Sequence, residues 1–368
     1  MPLFPPASCP RLIVKIGSAL LVDPDGGVRR EWLMGIAADI AMRTREGQQV
    51  AVVSSGAIAL GARRLGLPKG GRANLEDAQA AAATGQIALS QVWAETLGAE
   101  GLTAAQMLVT LDDLEDRRRY LNAAATLDRL LSLGVVPILN ENDSVATAEI
   151  RFGDNDRLAA RVAQAAGAQG VVLLSDVDGL YDRNPALADA THIPRVERID
   201  AAIEAMADRG SASGMGSGGM VSKIAAARIA NAAGAHLAIA SGRIDRPLST
   251  GARHTLFVAE KSAPARKAWL AGGLTARGTI HVDAGAAKAL AGGKSLLAAG
   301  ATRIEGRFDR GDLIVIAGPD GRPLARGLAE YESDDAARIV GKRSEELAEI
   351  LGYAPRSALV HRSHMALL

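Results

Sequence analysis

The sequence predicts an α/β fold, with a largely parallel sheet covered by helices on both faces, followed by a small, mainly β module. Three observations predict it. From Arg11 to about Glu260, short apolar runs alternate with longer Ala/Leu-rich stretches, the pattern of strands and helices in turn. After Glu260 that alternation gives way to short strand-like runs separated by Gly/Asp turns. The chain has 368 residues, 48% of them hydrophobic, which exceeds one usual domain and suffices to bury two cores.

Leu12–Ile16 is a brief apolar run, predicted as a buried strand. Glu31–Arg45 spaces its apolar residues at helical intervals and predicts an amphipathic helix. Val50–Ser54 is the next strand and Leu75–Leu97 the next helix. Strands follow at Ala104–Val109, Val135–Leu139, Val171–Ser175, His236–Ala240 and Thr255–Val258, with helices at Arg118–Leu133, Arg157–Ala166, Ala201–Ala207 and Val221–Ala233. Val145–Ile150 fits a strand or hairpin. Strands alternating with helices imply parallel pairing, and in such sheets ligands bind beyond the carboxyl ends of the strands. Lys261–Gly273 reads as a linker. Beyond it come strands at Thr279–Val282, Thr302–Glu305, Leu313–Ile316 and Leu324–Glu330, and short helices at Ala284–Ala291 and Ser344–Leu351. The domain boundaries expected from these patterns are 9–262 and 275–360.

Composition narrows the function classes. Aromatic residues are only 3%, so Ala, Val, Leu and Ile must fill the cores. A formal net charge of +1 calls for neither a nucleic acid nor a membrane as partner. The single cysteine, Cys9, excludes an internal disulfide and a Cys-rich zinc site, and fits a reducing compartment. Met1–Pro10 is proline-rich and lacks the basic and apolar segments of a signal peptide. No apolar run approaches the roughly 20 residues that span a bilayer. The expected location is the cytoplasm.

Five clusters carry chemistry, most of them at predicted strand ends. Lys15-Ile16-Gly17-Ser18 offers a glycine for close backbone approach to a phosphate and a mobile cation beside it; an ordinary turn is the other reading. Ser54-Ser55-Gly56-Ala57 precedes a helix, where free N–H groups bind anions, although Ser55 could serve only as an N-cap. Asn140-Glu141-Asn142-Asp143 and Gly153-Asp154-Asn155-Asp156 pack carboxylates and carboxamides too densely to bury without partners. That density favours a polar ligand with an ammonium group. Ser175-Asp176-Val177-Asp178-Gly179-Leu180-Tyr181 is either a simple Asx-turn loop or a segment that holds a nucleotide or orients a lysine. Gly214-Met215-Gly216-Ser217-Gly218-Gly219-Met220-Val221-Ser222-Lys223 places four glycines before a helix whose first turns carry Ser222 and Lys223, suited to wrapping phosphates.

Two motifs are decoys. Gly214, Gly216 and Gly219 match a dinucleotide fingerprint as a string, but helix-like sequence precedes them instead of a strand. Gly293-Lys294-Ser295 resembles the end of a P-loop, yet Lys288 stands where the pattern needs Gly. Six histidines show no metal-ligand spacing, and no Ser-His-Asp arrangement is apparent, so no protein metal ligands are expected.

In this order, Lys15-x-Gly-Ser, Ser54-Ser-Gly-Ala-Ile-Ala, Asn140-Glu-Asn-Asp, Gly153-Asp-Asn-Asp and Gly218-Gly-Met-x-Ser-Lys223 resemble the amino acid kinase family. Gln106-Met107-Leu108 and Val145-Ala-Thr-Ala-Glu-Ile150 point within it to the branch that phosphorylates the side chain of glutamate. Gly278-Thr-Ile-His-Val-Asp-Ala-Gly-Ala286 and Gly306-Arg-Phe-Asp-Arg-Gly-Asp312 look like a PUA domain. The resemblance runs from about Arg11 to His361. It departs from the family pattern at Ser54 and Ser175, where many relatives carry Thr, and at Ala159, often Ser.

The resemblance implies a three-layer αβα sandwich followed by a PUA-like domain. It implies transfer of phosphate from ATP, as Mg-ATP, to L-glutamate, giving L-glutamyl 5-phosphate at the start of proline synthesis. It would place Lys15, Gly17, Ser175, Asp176 and Ser217, Gly218, Gly219, Met220, Val221, Ser222 and Lys223 at ATP, and Ser55, Gly56, Asn140, Asp143 and Asn155 at glutamate. Lys15 and Lys223 would also act in catalysis, with Asp154 or Asp156 orienting a lysine or a magnesium-bound water. Proline as feedback inhibitor, a glutamyl phosphate reductase as downstream partner and a homo-oligomer follow from the resemblance alone. The chemistry agrees: a carboxylate with a pKa of about 4.3 is already ionised at neutral pH and needs no general base. Other substrates of the fold, among them aspartate, acetylglutamate, carbamate and UMP, remain alternatives. The acidic clusters disfavour an anionic nucleotide as acceptor. RNA binding by the tail is a further alternative. From Ala271 to Leu368, 13 Lys and Arg face 12 Asp and Glu, not a basic footprint overall, with Arg303, Arg307 and Arg310 as a candidate local patch.

Overall fold

The computed structural model of the chain describes residues 3–23, 27–145, 155–209, 219–259, 276–356 and 358–368. These form two compact units, one holding Met1–Glu115 and Asn122–Lys261, the other Asp116–Leu121 and Ser262–Leu368. Among the described residues no helix is long and apolar enough to cross a membrane. The expected linker at 261–273 and most of the expected strand or hairpin at 145–150 lie outside the described residues.

Among the described residues the first unit is built on ten strands: β1 (Arg11–Ile16), β2 (Gln49–Ser54), β3 (Ala104–Val109), β4 (Val136–Glu141), β5 (Gly170–Ser175), β6 (Leu180–Tyr181), β7 (His192–Ile193), β8 (Arg195–Val196), β9 (His236–Ser241) and β10 (His254–Phe257). Eight form one sheet in the order β3-β4-β2-β1-β5-β9-β10-β8, while β6 and β7 make a separate ribbon. Every pairing in the large sheet is parallel except β9 with β10. That one reversal follows from the short return between His236–Ser241 and His254–Phe257, which leaves no room for a crossover helix.

Helices in this unit are α1 (Ser18–Leu21), α2 (Arg30–Arg45), α3 (Ala57–Leu65), α4 (Leu75–Ala99), α5 (Leu111–Glu115), α6 (Arg117–Ser132, in this unit from Asn122 on), α7 (Asn155–Ala166), α8 (Ala201–Arg209) and α9 (Met220–Ala232). Strand residues alternate between two cores. Leu12, Val14 and Ile16 of β1 join Leu33, Ile36 and Ile40 of α2 and Leu89, Trp93 and Leu97 of α4 on one face. Ile13, with Ala51 and Val53 of β2, joins Leu158 and Val162 of α7 and Ala226 and Ala230 of α9 on the other. A sheet buried on both faces needs continuous apolar strands, which is why β1, β4 and β5 read as unbroken runs instead of alternating ones.

The second unit holds a five-stranded sheet, β11 (Gly278–Val282), β12 (Ala301–Gly306), β13 (Leu313–Ala317), β14 (Pro323–Leu328) and β15 (Met365–Leu367), in the order β12-β11-β13-β14-β15. Its core packs Ile280, Ile314, Ile316 and Phe308 with Leu290 of helix Ala284–Ala291 and Ile339 of helix Ser333–Ile339. The latter helix and β15 were not expected from sequence, and the helix expected over 344–351 forms only at Leu347–Leu351. Of the three candidate basic residues, Arg303 pairs with Glu305 at 2.5 Å and Arg310 lies 3.7 Å from Glu330. Arg307 lines a cavity that also holds Asp309, Asp312, Glu332 and Asp334.

Candidate active site

Strand order reverses around β1, which has β2 on one side and β5 on the other. A crevice opens at the carboxyl ends of these strands, where open α/β sheets bind ligands. Lys15 is the penultimate residue of β1, Ser55 follows β2, Asn140 and Glu141 end β4, and Ser175 ends β5. Two expected boundaries shift here. The β4 strand runs two residues beyond the expected Leu139, so Asn140 and Glu141 sit on the strand instead of in a loop. Helix α7 begins at Asn155, not Arg157, so Asn155 and Asp156 occupy its first turn. There Asp156 also meets the positive end of the helix dipole.

One cavity is lined by Lys15, Gly17, Ser55, Gly56, Asn140, Asp143, Asn155, Ser175, Asp176 and Lys223, bringing together residues up to 208 positions apart in sequence. Asp156 lies beside them, 2% exposed, and joins the two lysines. Lys15 Nζ approaches Asp156 Oδ1 at 2.6 Å, and Lys223 Nζ donates to Asp156 Oδ2 at 2.9 Å. Burial alone would push the Asp156 carboxyl up, but the two ammonium groups outweigh it and hold it below the usual carboxylate range. One carboxylate thus fixes two cations that would otherwise repel each other, leaving the trio with a net positive charge.

The opposite wall is a carboxamide chain. Asn155 Nδ2 donates to Ser55 Oγ at 2.7 Å and to Asn140 Oδ1 at 3.0 Å, and Asn140 Nδ2 donates to Gln86 Oε1 at 2.9 Å. Ser55 is not the cap of α3. Gly56 is, at φ +116°, a conformation that favours glycine, and no side chain caps the helix. The first-turn N–H groups of α3 thus have no side-chain cap, and Ala57, Ile58 and Ala59 of that turn line the cavity. Ser54, one residue back, is buried and accepts from Trp93 Nε1 at 2.9 Å, which anchors the end of β2 to α4.

Asp143 is buried at this wall, and burial pushes its carboxyl up to about 6, while the Arg72 guanidinium acts in the opposite direction. Asp143 Oδ1 and Asn155 Oδ1 are buried acceptors with no hydrogen-bond donor among the described residues. An unfilled buried acceptor costs about 1–3 kcal/mol, so a pair of them on one cavity wall suits a ligand that brings N–H donors. On the other side Ser175 Oγ donates to Asp176 Oδ1 at 3.0 Å, and Arg243 Nε donates to the Asp176 carbonyl at 3.2 Å.

The glycine-rich run behaves differently in its two halves. Asp154, Ser217 and Gly218 lie outside the described residues. Gly219 caps α9, and Met220, Val221 and Ser222 form its first turn, with Val221 half exposed; of these residues from 219 on, Lys223 lines the cavity. Two residues escaped sequence reading: Arg72, which lines the cavity, and Gln86, which accepts from the cavity residue Asn140. Gln86 gives its only hint as a polar residue in an Ala-rich helical stretch, and Arg72 gives none. Among the described residues no group of three or more His, Cys, Asp or Glu is arranged to hold a metal ion.

Comparison with known proteins places the chain. The profile of the amino acid kinase family matches residues 10–241, and that of the PUA domain matches residues 278–351. The chain belongs to the amino acid kinase family. Among curated proteins, a glutamate 5-kinase of Sphingopyxis alaskensis is 82% identical over 368 residues, covering 100% of both chains. A glutamate 5-kinase of Zymomonas mobilis is 62% identical, covering 100% of this chain and 93% of its own. Among solved structures, UMP kinase from Bacillus anthracis is similar at 16% identity with a TM-score of 0.46, covering 70% of this chain and 98% of that one. In this member of the amino acid kinase family the cavity at the strand ends combines a fixed pair of cations, helix N–H groups and a wall of acceptors.

Proposed function

We propose that the chain phosphorylates the side-chain carboxylate of L-glutamate with ATP, as Mg-ATP, giving L-glutamyl 5-phosphate and ADP by direct in-line transfer. The observation that carries this reading is the Lys15–Asp156–Lys223 bridge facing the Ser55, Asn140, Asp143 and Asn155 wall within one cavity. The full-length likeness to glutamate 5-kinases supports the choice of acceptor.

In this reading Asp143 and Asn155 receive the substrate's α-ammonium group, and Ser55, Asn140 and Gly56 complete that pocket. Lys15, Gly17, Ser175, Asp176 and the run from Ser217 to Lys223 hold ATP. Lys15 and Lys223 lie where charge spreads over the transferred phosphoryl group, and Asp156 positions both. The attacking oxygen is already ionised, so the site supplies positioning and positive charge instead of a base. Asp154 is proposed beside Asp156 as a second orienting group. The catalytic domain is taken as 9–262 and the PUA-like domain as 275–360. Proline as competing inhibitor, a reductase that consumes the acyl phosphate, a homo-oligomeric state and a cytoplasmic location belong to the same proposal.

The test is ADP release from Mg-ATP with L-glutamate, against aspartate, acetylglutamate and UMP. Turnover with L-glutamate alone, suppressed by proline, supports the reading. Turnover only with another acceptor would replace the substrate.

A further inference from the structure

The cavity holds a third cation whose position the reaction itself does not explain. Arg72 lines it together with Asp143, on the acceptor side, and its positive charge opposes the effect of burial on the Asp143 carboxyl. The two lysines are both committed to Asp156. Among the described residues, by contrast, the Arg72 guanidinium has neither an ion-pair nor a hydrogen-bond partner, and the residue is exposed to the cavity mouth.

Its backbone is set firmly. Pro68–Gly71 forms a short 3-10 turn in which Lys69, Gly70 and Gly71 all take positive φ, at 51°, 62° and 74°. Gly71 is wedged between α3 and α4: a Cβ there would fall 2.9 Å from Ala62 Cβ and 3.1 Å from Ala81 Cβ. Past the turn, Asn74 caps α4 by accepting from the Asp77 N–H at 2.7 Å. A turn pinned on both sides presents Arg72 over the acceptor wall.

An α-amino acid offers that wall two charges. Its ammonium group suits Asp143 and the open Asn155 Oδ1. Its α-carboxylate needs a cation that the lysine pair, reserved for the phosphoryl group, does not supply. A guanidinium is the side chain best shaped for a carboxylate, binding it through two parallel N–H donors. We propose that Arg72 is a specificity residue that binds the α-carboxylate of the amino-acid acceptor, opposite Asp143, so that the two together read its zwitterionic head. This inference rests on the amino-acid reading of the site. It explains how the acceptor's two carboxylates are told apart: one meets arginine, and the other is left to face the lysines.

The experiment is steady-state kinetics on the full chain for the wild type, Arg72→Ala, Arg72→Gln and Arg72→Lys, varying L-glutamate at saturating Mg-ATP and then the reverse. Loss of one charge-assisted contact to a bound carboxylate raises KM for L-glutamate roughly tenfold to a hundredfold in Arg72→Ala and Arg72→Gln. Meanwhile kcat and KM for Mg-ATP stay within about threefold. Arg72→Lys recovers part of the loss, and thermal unfolding midpoints stay level because the residue is exposed. If KM for L-glutamate does not move, or if the change falls on kcat or on KM for Mg-ATP, Arg72 serves no acceptor carboxylate and the assignment is overturned. A wild type silent with L-glutamate overturns the glutamate reading and takes this assignment with it. A wild type active with L-glutamate beside an unaffected Arg72→Ala overturns the assignment alone.

Discussion

Acidification should weaken capture of L-glutamate well before it harms the rest of the site. The titrating group is Asp143, raised from 3.8 to about 6 by burial, with Arg72 opposing part of the rise. In its protonated form it no longer offers a charge to an ammonium group. If capture needs the carboxylate, kcat/KM for L-glutamate scales with the ionised fraction of the free enzyme: about 0.9 at pH 7, about 0.5 at pH 6 and about 0.1 at pH 5. The expected loss from pH 7 to pH 5 is therefore about tenfold. Two other groups stay ionised over this range. The substrate's own side-chain carboxylate titrates near 4.3, and Asp156 is held low by its two lysines. The assay is ADP release at excess Mg²⁺, with L-glutamate varied at each pH from 5 to 8. Asp143→Asn should give a lower but nearly flat profile, because it removes the titrating group. A wild-type kcat/KM that stays constant down to pH 5, or that rises as pH falls, would refute the role given to Asp143. The same shift has a consequence for stability without ligand. The folded state holds a proton on Asp143 that the unfolded chain has released between pH 3.8 and about 6, so this group's contribution makes stability fall as pH rises through that window.

Three further outcomes follow. Lys223→Ala should lower kcat on the order of 10²–10³-fold while the fold persists, since Lys15 still pairs with Asp156; near-normal turnover in steady-state assays would remove Lys223 from the chemistry. Asp156→Ala strands two buried ammonium groups and should destabilise the first unit by about 3–5 kcal/mol in urea unfolding, with a loss below 1 kcal/mol arguing that the bridge is not formed. Gly85→Ala places a Cβ 1.8 Å from the Ala57 carbonyl oxygen, where α4 crosses the start of α3; it should cost about 3 kcal/mol or more and disturb Ser55 binding, and a melting temperature equal to the wild type would contradict this packing.

How much of this was legible in the sequence depends on range. Lys15, Ser55, Asn140 and Ser175 could be found because each ends a short apolar run, and a parallel sheet gathers strand ends on one side. The two-sided burial of β1 and β5 left the same trace, an unbroken run of branched residues. Boundaries were harder. Asn155 and Asp156 read as loop residues, yet they open α7 because Asp156 is satisfied by two lysines from other elements, which local sequence cannot reveal. Helix α3 was expected after Ser54-Ser55-Gly56-Ala57 but without bounds, because its start at Ala57 follows a left-handed Gly56 and its packing depends on Gly61 and Gly85 meeting across helices. Arg72 and Gln86 were missed for a similar reason: their neighbours at the site, Asp143 and Asn140, are distant in sequence. The strand expected at 255–258 forms as β10, but its antiparallel direction was invisible, since an apolar run looks the same in either direction.

The central position of β1 also has a consequence for how the protein is made. Among the described strands it is made before the others, and β2 can pair with one of its edges almost at once. Its other edge belongs to β5, which begins at Gly170, about 115 residues after β2 ends. At translation rates of about 5–20 residues per second, that edge stays open for roughly 6–23 seconds. The segment before β1 waits longer still, because Arg43, which holds the carbonyls of Leu3 and Phe4, also binds the carbonyl of Leu248. During that interval the nascent chain carries a bare, apolar strand edge, so slower elongation between residues 54 and 170 would lengthen its exposure to wrong partners and its reliance on chaperones.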